Sequence, residues 1–346
     1  MSGLMRSRPA PLCAVCGAEG RTLYVGLQDR LFSALGEWSL SRCTKEACAL
    51  IWLNPMPVPE DLSKAYATYY THAEPPKRTA LLRWLLEVSK RGYLANRFGY
   101  ADSVSLADRL VGFLFEAYPG RVAALDFAVM WLPASRRGRL LDVGAGSGVL
   151  VATMNALGWS AEGVDQDRIA VQDAQRRGLV IHLGSLQEQR LPDAAYDVVT
   201  MSHSIEHIDD PGSCLAEVHR VLKPGGVLVV ATPNVASLGH RWFGRHWLPL
   251  DPPRHLHLFN RRNLAALAAS VGFTVTQCFT SVREANGVFA GSRDIRSCDR
   301  HDMLAPRRWP TKFLGRVFQA TETIIRWFWP DAGEDLVLIA EKPRRK

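Results

Sequence analysis

The stretch Leu140-Leu141-Asp142-Val143-Gly144-Ala145-Gly146-Ser147-Gly148 sets the strongest limit on how this chain can fold. An apolar run ends in an acid, glycines follow at every second position, and the helical pattern Val149 to Leu157 begins at once. Glycines let a backbone turn sharply and approach a ligand with no Cβ in the way, so this order reads as a nucleotide-binding loop between a strand and a helix. At the tip of the next strand, Gly163-Val164-Asp165 supplies a carboxylate placed to accept hydrogen bonds from ribose hydroxyls. A dinucleotide loop would read Gly-x-Gly-x-x-Gly, and Val149 stands where its third small residue belongs. Asp142 would also serve a pyrophosphate poorly; it suits a ligand with a positively charged end. A bare tight turn and a dinucleotide fold are the readings weighed against this one.

From Arg139 onward, short β-branched runs alternate with helical stretches: Leu140 to Val143, Ser160 to Val164, Leu179 to His182, Asp197 to Met201 and Gly226 to Thr232. That alternation predicts a parallel sheet wrapped by helices. Two further runs, Phe273 to Phe279 and Asp335 to Glu341, complete the set, with only hairpin-like or irregular material expected between them. The fold class is therefore α/β: a doubly wound, Rossmann-like sheet of seven strands, mostly parallel, with a late reversed strand. A chain that is 47% hydrophobic and 22% charged has the composition of an ordinary folded protein.

These residues carry a resemblance. The glycine loop, Asp165, Leu191-Pro192-Asp193-x-x-Tyr196-Asp197-Val198-Val199 and Leu222-Lys223-Pro224-Gly225-Gly226 look, in order, like the motifs of class I S-adenosylmethionine-dependent methyltransferases, over Arg139 to Lys342. The resemblance implies S-adenosyl-L-methionine as cofactor, with Asp142, Gly144, Ala145, Gly146, Gly148, Asp165 and Gln166 around it. It also implies Ser185 and Leu186 beside the adenine, and Ser202 and His203 at the rim. The family often has Asp where Ser185 stands, so a backbone group is expected to serve the adenine amino group.

In an open α/β sheet the reacting groups gather beyond the carboxyl ends of the strands. Ser202 to Pro211 follows the fourth run, and Thr232-Pro233-Asn234 with an insert over 235–262 follows the fifth. A sulfonium carries an already activated methyl group, so the protein must align an acceptor and, for a hydroxyl, take its proton. Imidazole titrates near neutral pH, which makes His255, His257 and His207 the catalytic candidates, His255 or His257 first. His255 and His257 alternate along an extended segment and are expected to point to one side. Packing or a supporting hydrogen bond is the competing role for all of them. His203-x-x-Glu206-His207 partly resembles the Glu-x-x-Glu-His cluster that binds a divalent metal in ubiquinone-type O-methyltransferases, but an imidazole in place of one carboxylate weakens the fit to a hard ion.

Cys13-Ala14-Val15-Cys16 and Cys43-x-x-x-x-Cys48 are twenty-six residues apart. Four thiolates can close a tetrahedral zinc site and staple a small module, so Cys13, Cys16, Cys43 and Cys48 are the candidate ligands of a structural Zn2+. A degenerate ribbon without its ion is the alternative, and disulfides are not expected. Cys214, Cys278 and Cys298 read as isolated thiols packed in the core. The prolines of Trp52 to Pro59 should stop any regular element, which gives a zinc-ribbon-like module over 1–59, a helical connector over 60–135 that starts with a helix from Glu60 to about Tyr70, and the cofactor-binding core over 136–346. The module followed by Pro253-x-His255-Leu256-His257 resembles a subfamily associated with methylation of sugars, polysaccharide precursors and related small molecules.

Leu314, Val317, Phe318, Thr321, Ile324, Ile325 and Phe328, within 310–330, fall at helical spacing and predict one strongly apolar face. Packing on the sheet or a homo-oligomer contact is the first use of such a face, and peripheral contact with a membrane the second. Met1 to Ala14 has no apolar core of a signal peptide, and charges and Pro119 break Val111 to Leu132 before it could span a bilayer, so a cytoplasmic enzyme is expected. The net charge of +8 is scattered along the chain rather than gathered in a run.

The leading reading is methyl transfer to a small-molecule acceptor, a hydroxyl of a sugar or a glycolipid or polysaccharide precursor. The alternatives are an rRNA or tRNA methyltransferase and a non-catalytic cofactor-binding scaffold. Against nucleic acid stand the few cations of the ribbon, Arg21, Arg30, Arg42 and Lys45, and the lack of an Asn-Pro-Pro-Tyr-like motif after the fourth run.

Overall fold

A computed structural model describes residues 5–66, 79–102, 104–114, 118–305 and 309–344. The N-terminal part contains β1 (Ser7–Arg8), β2 (Gly20–Leu27), β3 (Trp38–Cys43), β4 (Ile51–Leu53) and β5 (Met56–Pro57), followed by α1 (Ala80–Phe98), α2 (Leu106–Leu114) and α3 (Pro119–Ala128). The alternating part runs β6 (Arg139–Val143), α4 (Val149–Ala156), β7 (Ser160–Asp165), α5 (Arg168–Arg176), β8 (Ile181–Leu183), β9 (Tyr196–Ser202), α6 (Pro211–Val221) and β10 (Leu222–Pro233). After it come α7 (Leu238–Phe243), β11 (His257–Leu258), α8 (Arg261–Ser270), β12 (Thr274–Ser281), α9 (Ala285–Cys298), α10 (Trp309–Ile325) and β13 (Asp335–Glu341).

The main sheet has seven strands in the order β8-β7-β6-β9-β10-β13-β12. β13 runs antiparallel to both neighbours, so one late strand is reversed as expected. Successive side chains of a strand point to opposite faces. Leu141, Val143, Val199, Met201, Leu228 and Val230 thus enter one core, while Leu140, Val198, Val227, Val229 and Ala231 enter the other. Strands buried on both faces must be apolar almost throughout, which is why these runs stood out in the sequence. The switch between β6 and β9 opens the carboxyl edge at the glycine loop.

Several expectations need correction. The span between β12 and β13 is helical, not irregular: α9 and α10 pack on each other there. Its helical signal is diluted by glycines needed for close approach, since a Cβ on Gly291 would lie 2.8 Å from the Leu248 side chain. The prolines near residue 55 do not abolish strands, because β5 pairs with β1 in a two-residue ladder. Residues Pro59–Tyr66 form a short 3-10 helix, and the remainder of the helix expected to about Tyr70 lies outside the described residues. Cys214 is buried and Cys278 half-buried, but Cys298 is exposed at the end of α9, outside any core.

The N-terminal sheet is ordered β2-β3-β4-β11, so its last strand comes from the insert: His257 pairs with Trp52 and Leu258 with Ile51. Leu50, Trp52 and Leu53 share one apolar cluster with Leu256, Leu258, Phe259, Met201 and Ile205. This packing continues across the boundary expected at residue 59.

α10 leaves most of its expected apolar face exposed rather than packed on the sheet. Phe318, Gln319 and Glu322 are buried, while Trp309, Phe313, Leu314, Val317 and Ile324 are exposed, as are Trp327 and Phe328 beyond the helix. Gln319 Nε2 donates to the Val282 carbonyl at 2.8 Å and Glu322 Oε1 accepts from the Glu334 amide at 3.0 Å, while Glu322 Oε2 is buried without a hydrogen-bond partner. Among the described residues, no helix is long and apolar enough to cross a membrane.

Candidate functional site

The glycine loop leaves β6 and enters α4 with Gly144, Gly146 and Gly148 at φ of +79°, +51° and +75°. Such angles favour glycine. Each position has its own spatial reason as well. A Cβ on Gly144 would lie 2.4 Å from Ser204 Cβ, whereas around Gly146 there is open space to 4 Å. That opening is the cradle a ligand would need.

Two acids frame it. Asp142 is almost wholly buried and accepts a hydrogen bond from Thr200 Oγ1 at 2.8 Å. Burial, with Asp165 nearby, pushes its pKa up to about 7 despite that bond. Asp165 accepts from the Gly146 and Asp167 amides, both at 2.7 Å, and burial raises its pKa as well. Asp165 therefore clamps the loop, and oxygens already engaged with amides still have lone pairs for a ligand hydroxyl. Gln166 is exposed and Ala145 and Ser202 are half-buried along the same edge. Ser185 hydrogen-bonds Glu188 through both its amide and its hydroxyl, and Leu186 is buried.

The residues present fit S-adenosyl-L-methionine. A buried carboxyl short of donors at Asp142 suits the cofactor's ammonium, Asp165 suits a ribose, and the gap beside Gly146 leaves room for the chain between them. Four thiols likewise suit Zn2+: one sulfur from each of Cys13, Cys16, Cys43 and Cys48 lies within 4.8 Å of the others. The closest pairs, Cys13 with Cys48 and Cys16 with Cys43, are 3.6 and 3.5 Å apart, too far for disulfides.

Beyond β9 the candidate imidazoles separate into three environments. His203 touches Glu206 through Nδ1 at 3.4 Å, its Nε2 accepts from Arg283 Nη2 at 3.0 Å, and its ring lies 5.9 Å from Phe127. His207 and His255 form a second group, with ring centroids 4.8 Å apart. His207 Nδ1 faces the Arg254 carbonyl at 3.0 Å and the Tyr66 hydroxyl at 2.9 Å, and His255 Nδ1 faces the Pro249 carbonyl at 2.7 Å. A carbonyl can only accept, so both rings carry a proton on Nδ1. Burial, with His255 adding to it, pushes the His207 pKa down to about 4, so its ring is neutral near pH 7. Glu206 lies beside them, fully buried, with Oε2 accepting from Thr232 Oγ1 at 2.9 Å.

His257 does not join this group. It is 2% exposed in β11, and its Nδ1 donates to the Ile208 carbonyl at 3.1 Å. Burial pushes its pKa down to about 4. The expectation that His255 and His257 share one side fails because residues 252–254 form a turn, from which the His255 amide bonds back to the Asp251 carbonyl. His257 alone continues into the strand. Sequence reasoning missed Thr200, Tyr66, Phe127 and Arg283, which sit on separate elements and have no shared spacing to betray them.

Residues 115–278 match a family described as a methyltransferase domain. A probable S-adenosylmethionine-dependent methyltransferase of Mycolicibacterium smegmatis is 34% identical over 155 residues, 44% of this chain and 56% of that one. A ubiquinone biosynthesis O-methyltransferase of Caulobacter vibrioides is 36% identical over 124 residues, 32% of this chain and 49% of that one. The chain thus spans about half the length of these curated relatives. Among solved structures, a SAM-dependent methyltransferase of Archaeoglobus fulgidus is similar at 20% identity and a TM-score of 0.44, covering 66% of this chain and 99% of that one. The seven-stranded order with its reversed strand, the glycine loop with its two acids and the family match over residues 115–278 mark a methyltransferase domain of the class I S-adenosylmethionine-dependent kind in this chain.

Proposed function

We propose that the chain transfers a methyl group from S-adenosyl-L-methionine to a hydroxyl of a small molecule, with His207 and His255 receiving the hydroxyl's proton. The observation that carries the reading is the pair of adjoining imidazoles, each oriented by an Nδ1–H donated to a backbone carbonyl, beyond the carboxyl end of β9. When bound, the cofactor supplies a methyl group already activated on a sulfonium. The chain's own residues do the rest. Asp142 would hold the cofactor's ammonium, Asp165 would hold its ribose, and the glycine loop would leave room for the chain between them. His203, tied to Glu206 and Arg283, borders the rim. A lone pair at His255 or His207 draws off the proton as the oxygen attacks, a contribution of about 10² to 10⁴ in rate.

A sugar or a glycolipid or polysaccharide precursor is the acceptor class that best suits this domain behind a four-cysteine module. The similarity to O-methyltransferases named for ubiquinone biosynthesis favours oxygen as the methylated atom. The test is a turnover screen with labelled methyl donor over nucleotide sugars, quinol-type phenols and RNA. Product should form on a hydroxyl acceptor, and His255→Ala or His207→Ala should lower the rate at least tenfold with cofactor binding intact. Methylation of RNA alone, or cofactor binding with no transfer to any class, would overturn the reading.

A further inference from the structure

We infer that the outward face of α10 docks the chain on an anionic phospholipid surface, with a lipid phosphate taken into the cavity beside Lys312 and Arg316. Trp309, Phe313, Val317, Ala320 and Ile324 recur every three or four residues along the helix, and all five face solvent. A stripe over the 17 residues of the helix is about 25 Å long. Aromatic rings mark both ends: Trp309 is 75% exposed, and Trp327 and Phe328, just past the helix, are 78% and 85% exposed. A single exposed apolar residue is ordinary, but a continuous stripe of them marks an interaction surface.

Charge decides what covers it. Glu322, the one acid of α10, is buried on the opposite side, so Lys312 and Arg316 are the charges the helix shows to solvent. They lie one turn apart along the flank of the stripe. Beside them opens a cavity of about 180 Å³ lined by Asn286, Thr311, Lys312 and Arg316, and the Thr311 hydroxyl accepts from a third cation, Arg293, at 3.4 Å. Among the described residues, none of these three cations is paired with a carboxylate. A two-fold contact between copies of the chain would lay this patch on itself and set cation against cation.

A bilayer with anionic headgroups meets both halves of the pattern. Its acyl boundary takes the apolar stripe, its interface takes the tryptophans, and its phosphates take the guanidinium and ammonium groups. No helix of the described residues is long and apolar enough to cross a membrane, so α10 lies on the surface rather than spanning it. The buried side of α10 leads to the rim of the cofactor site: Gln319 donates to the Val282 carbonyl, and Arg283, the next residue, holds His203.

The test is flotation of the full chain with vesicles of phosphatidylcholine alone and of phosphatidylcholine with phosphatidylglycerol. Wild type should bind the anionic vesicles at least tenfold more tightly than the neutral ones, and more weakly in high salt. Phe313→Ser combined with Trp327→Ser should bind the anionic vesicles at least tenfold more weakly. Lys312→Glu combined with Arg316→Glu should lose the preference for them. All four side chains face solvent, so both variants should melt and bind S-adenosyl-L-methionine as wild type does. No binding by wild type, equal binding to both kinds of vesicle, or unchanged binding by either variant overturns the inference. A dimer in solution that Phe313→Ser with Trp327→Ser splits into monomers would also overturn it, because a second copy would then cover the face. The wild-type measurement alone can overturn it, so misfolding of a variant does not blunt the test.

Discussion

Arg254 and Asp29 face each other with both side chains excluded from solvent, joined by two hydrogen bonds of 2.7 and 2.8 Å. The same guanidinium donates to the Ala65 carbonyl at 3.1 Å and to Asp251 at 2.9 Å, and lies 4.7 Å from the Phe32 ring centroid. One residue of the insert thus ties the cysteine module, the segment before α1 and its own turn together, immediately beside His255. Without Asp29 the buried guanidinium would keep Asp251 but lose two acceptors, and the Leu31 and Ala34 amides, at 2.9 and 2.8 Å, would lose theirs. Asp29→Ala should therefore cost about 3–5 kcal/mol of folding stability in denaturant titrations. It should also reduce methyl transfer, although Asp29 lies in the N-terminal module. A loss under about 1 kcal/mol would mean that the pair behaves like a surface contact.

Thr200 is the sole hydrogen-bond donor to the Asp142 carboxyl among the described residues, at 2.8 Å. Thr200→Val keeps the shape and removes the donor, so the Asp142 pKa should rise above about 7. A cofactor ammonium prefers the carboxylate. Cofactor affinity should thus increase with pH through about 7 in wild type, and the midpoint should shift upward in the variant, with roughly tenfold weaker binding at neutral pH. Calorimetric titrations across that range decide it. Superimposable pH profiles would dissociate Asp142 from the cofactor.

The same buried acid affects stability without ligand. An acid whose pKa is raised in the folded state, here from 3.8 to about 7, holds its proton more tightly folded than unfolded. Its contribution is fully present below the unfolded value and is lost as pH rises through the folded one. At about 1.4 kcal/mol for each pH unit separating the two values, this amounts to about 4 kcal/mol between roughly pH 4 and pH 7. Asp142→Asn should flatten that part of the stability curve, as measured by denaturant midpoints at several pH values. An equally steep decline in the variant would assign the loss to other groups.

What could be read from the sequence follows from how local each signal is. The seven strands and the glycine loop were legible because burial on two faces and positive φ angles impose residue types within a few positions. The span holding α9 was not, since its helix is specified by packing on α7 and α10 more than by its own pattern. What α10 buries was hidden for a related reason: Gln319 and Glu322 find their partners on other segments, at Val282 and Glu334, which no helical periodicity reveals. His257 looked equivalent to His255 until β4 claimed it as a ladder partner. The meeting of His255 with His207 depends on the turn at 252–254 and on Leu256 bonding to Glu206, contacts about fifty residues apart.

Gly144 and Gly146 should respond to substitution in opposite ways. A Cβ at Gly144 meets Ser204 Cβ at 2.4 Å with φ at +79°, so Gly144→Ala combines backbone strain with overpacking and should cost about 2–5 kcal/mol of stability. At Gly146 nothing lies within 4 Å and φ is +51°, so Gly146→Ala should cost only about 1 kcal/mol. The methyl group would, however, occupy the opening the cofactor needs, and cofactor affinity should drop at least tenfold. Thermal melts with and without cofactor separate the two effects. Gly144→Ala should melt well below wild type in its absence, whereas Gly146→Ala should melt near wild type and gain little from added cofactor. If Gly146→Ala gains as much as wild type, the opening is not the cofactor's path, and the ligand must approach Asp142 and Asp165 from another side.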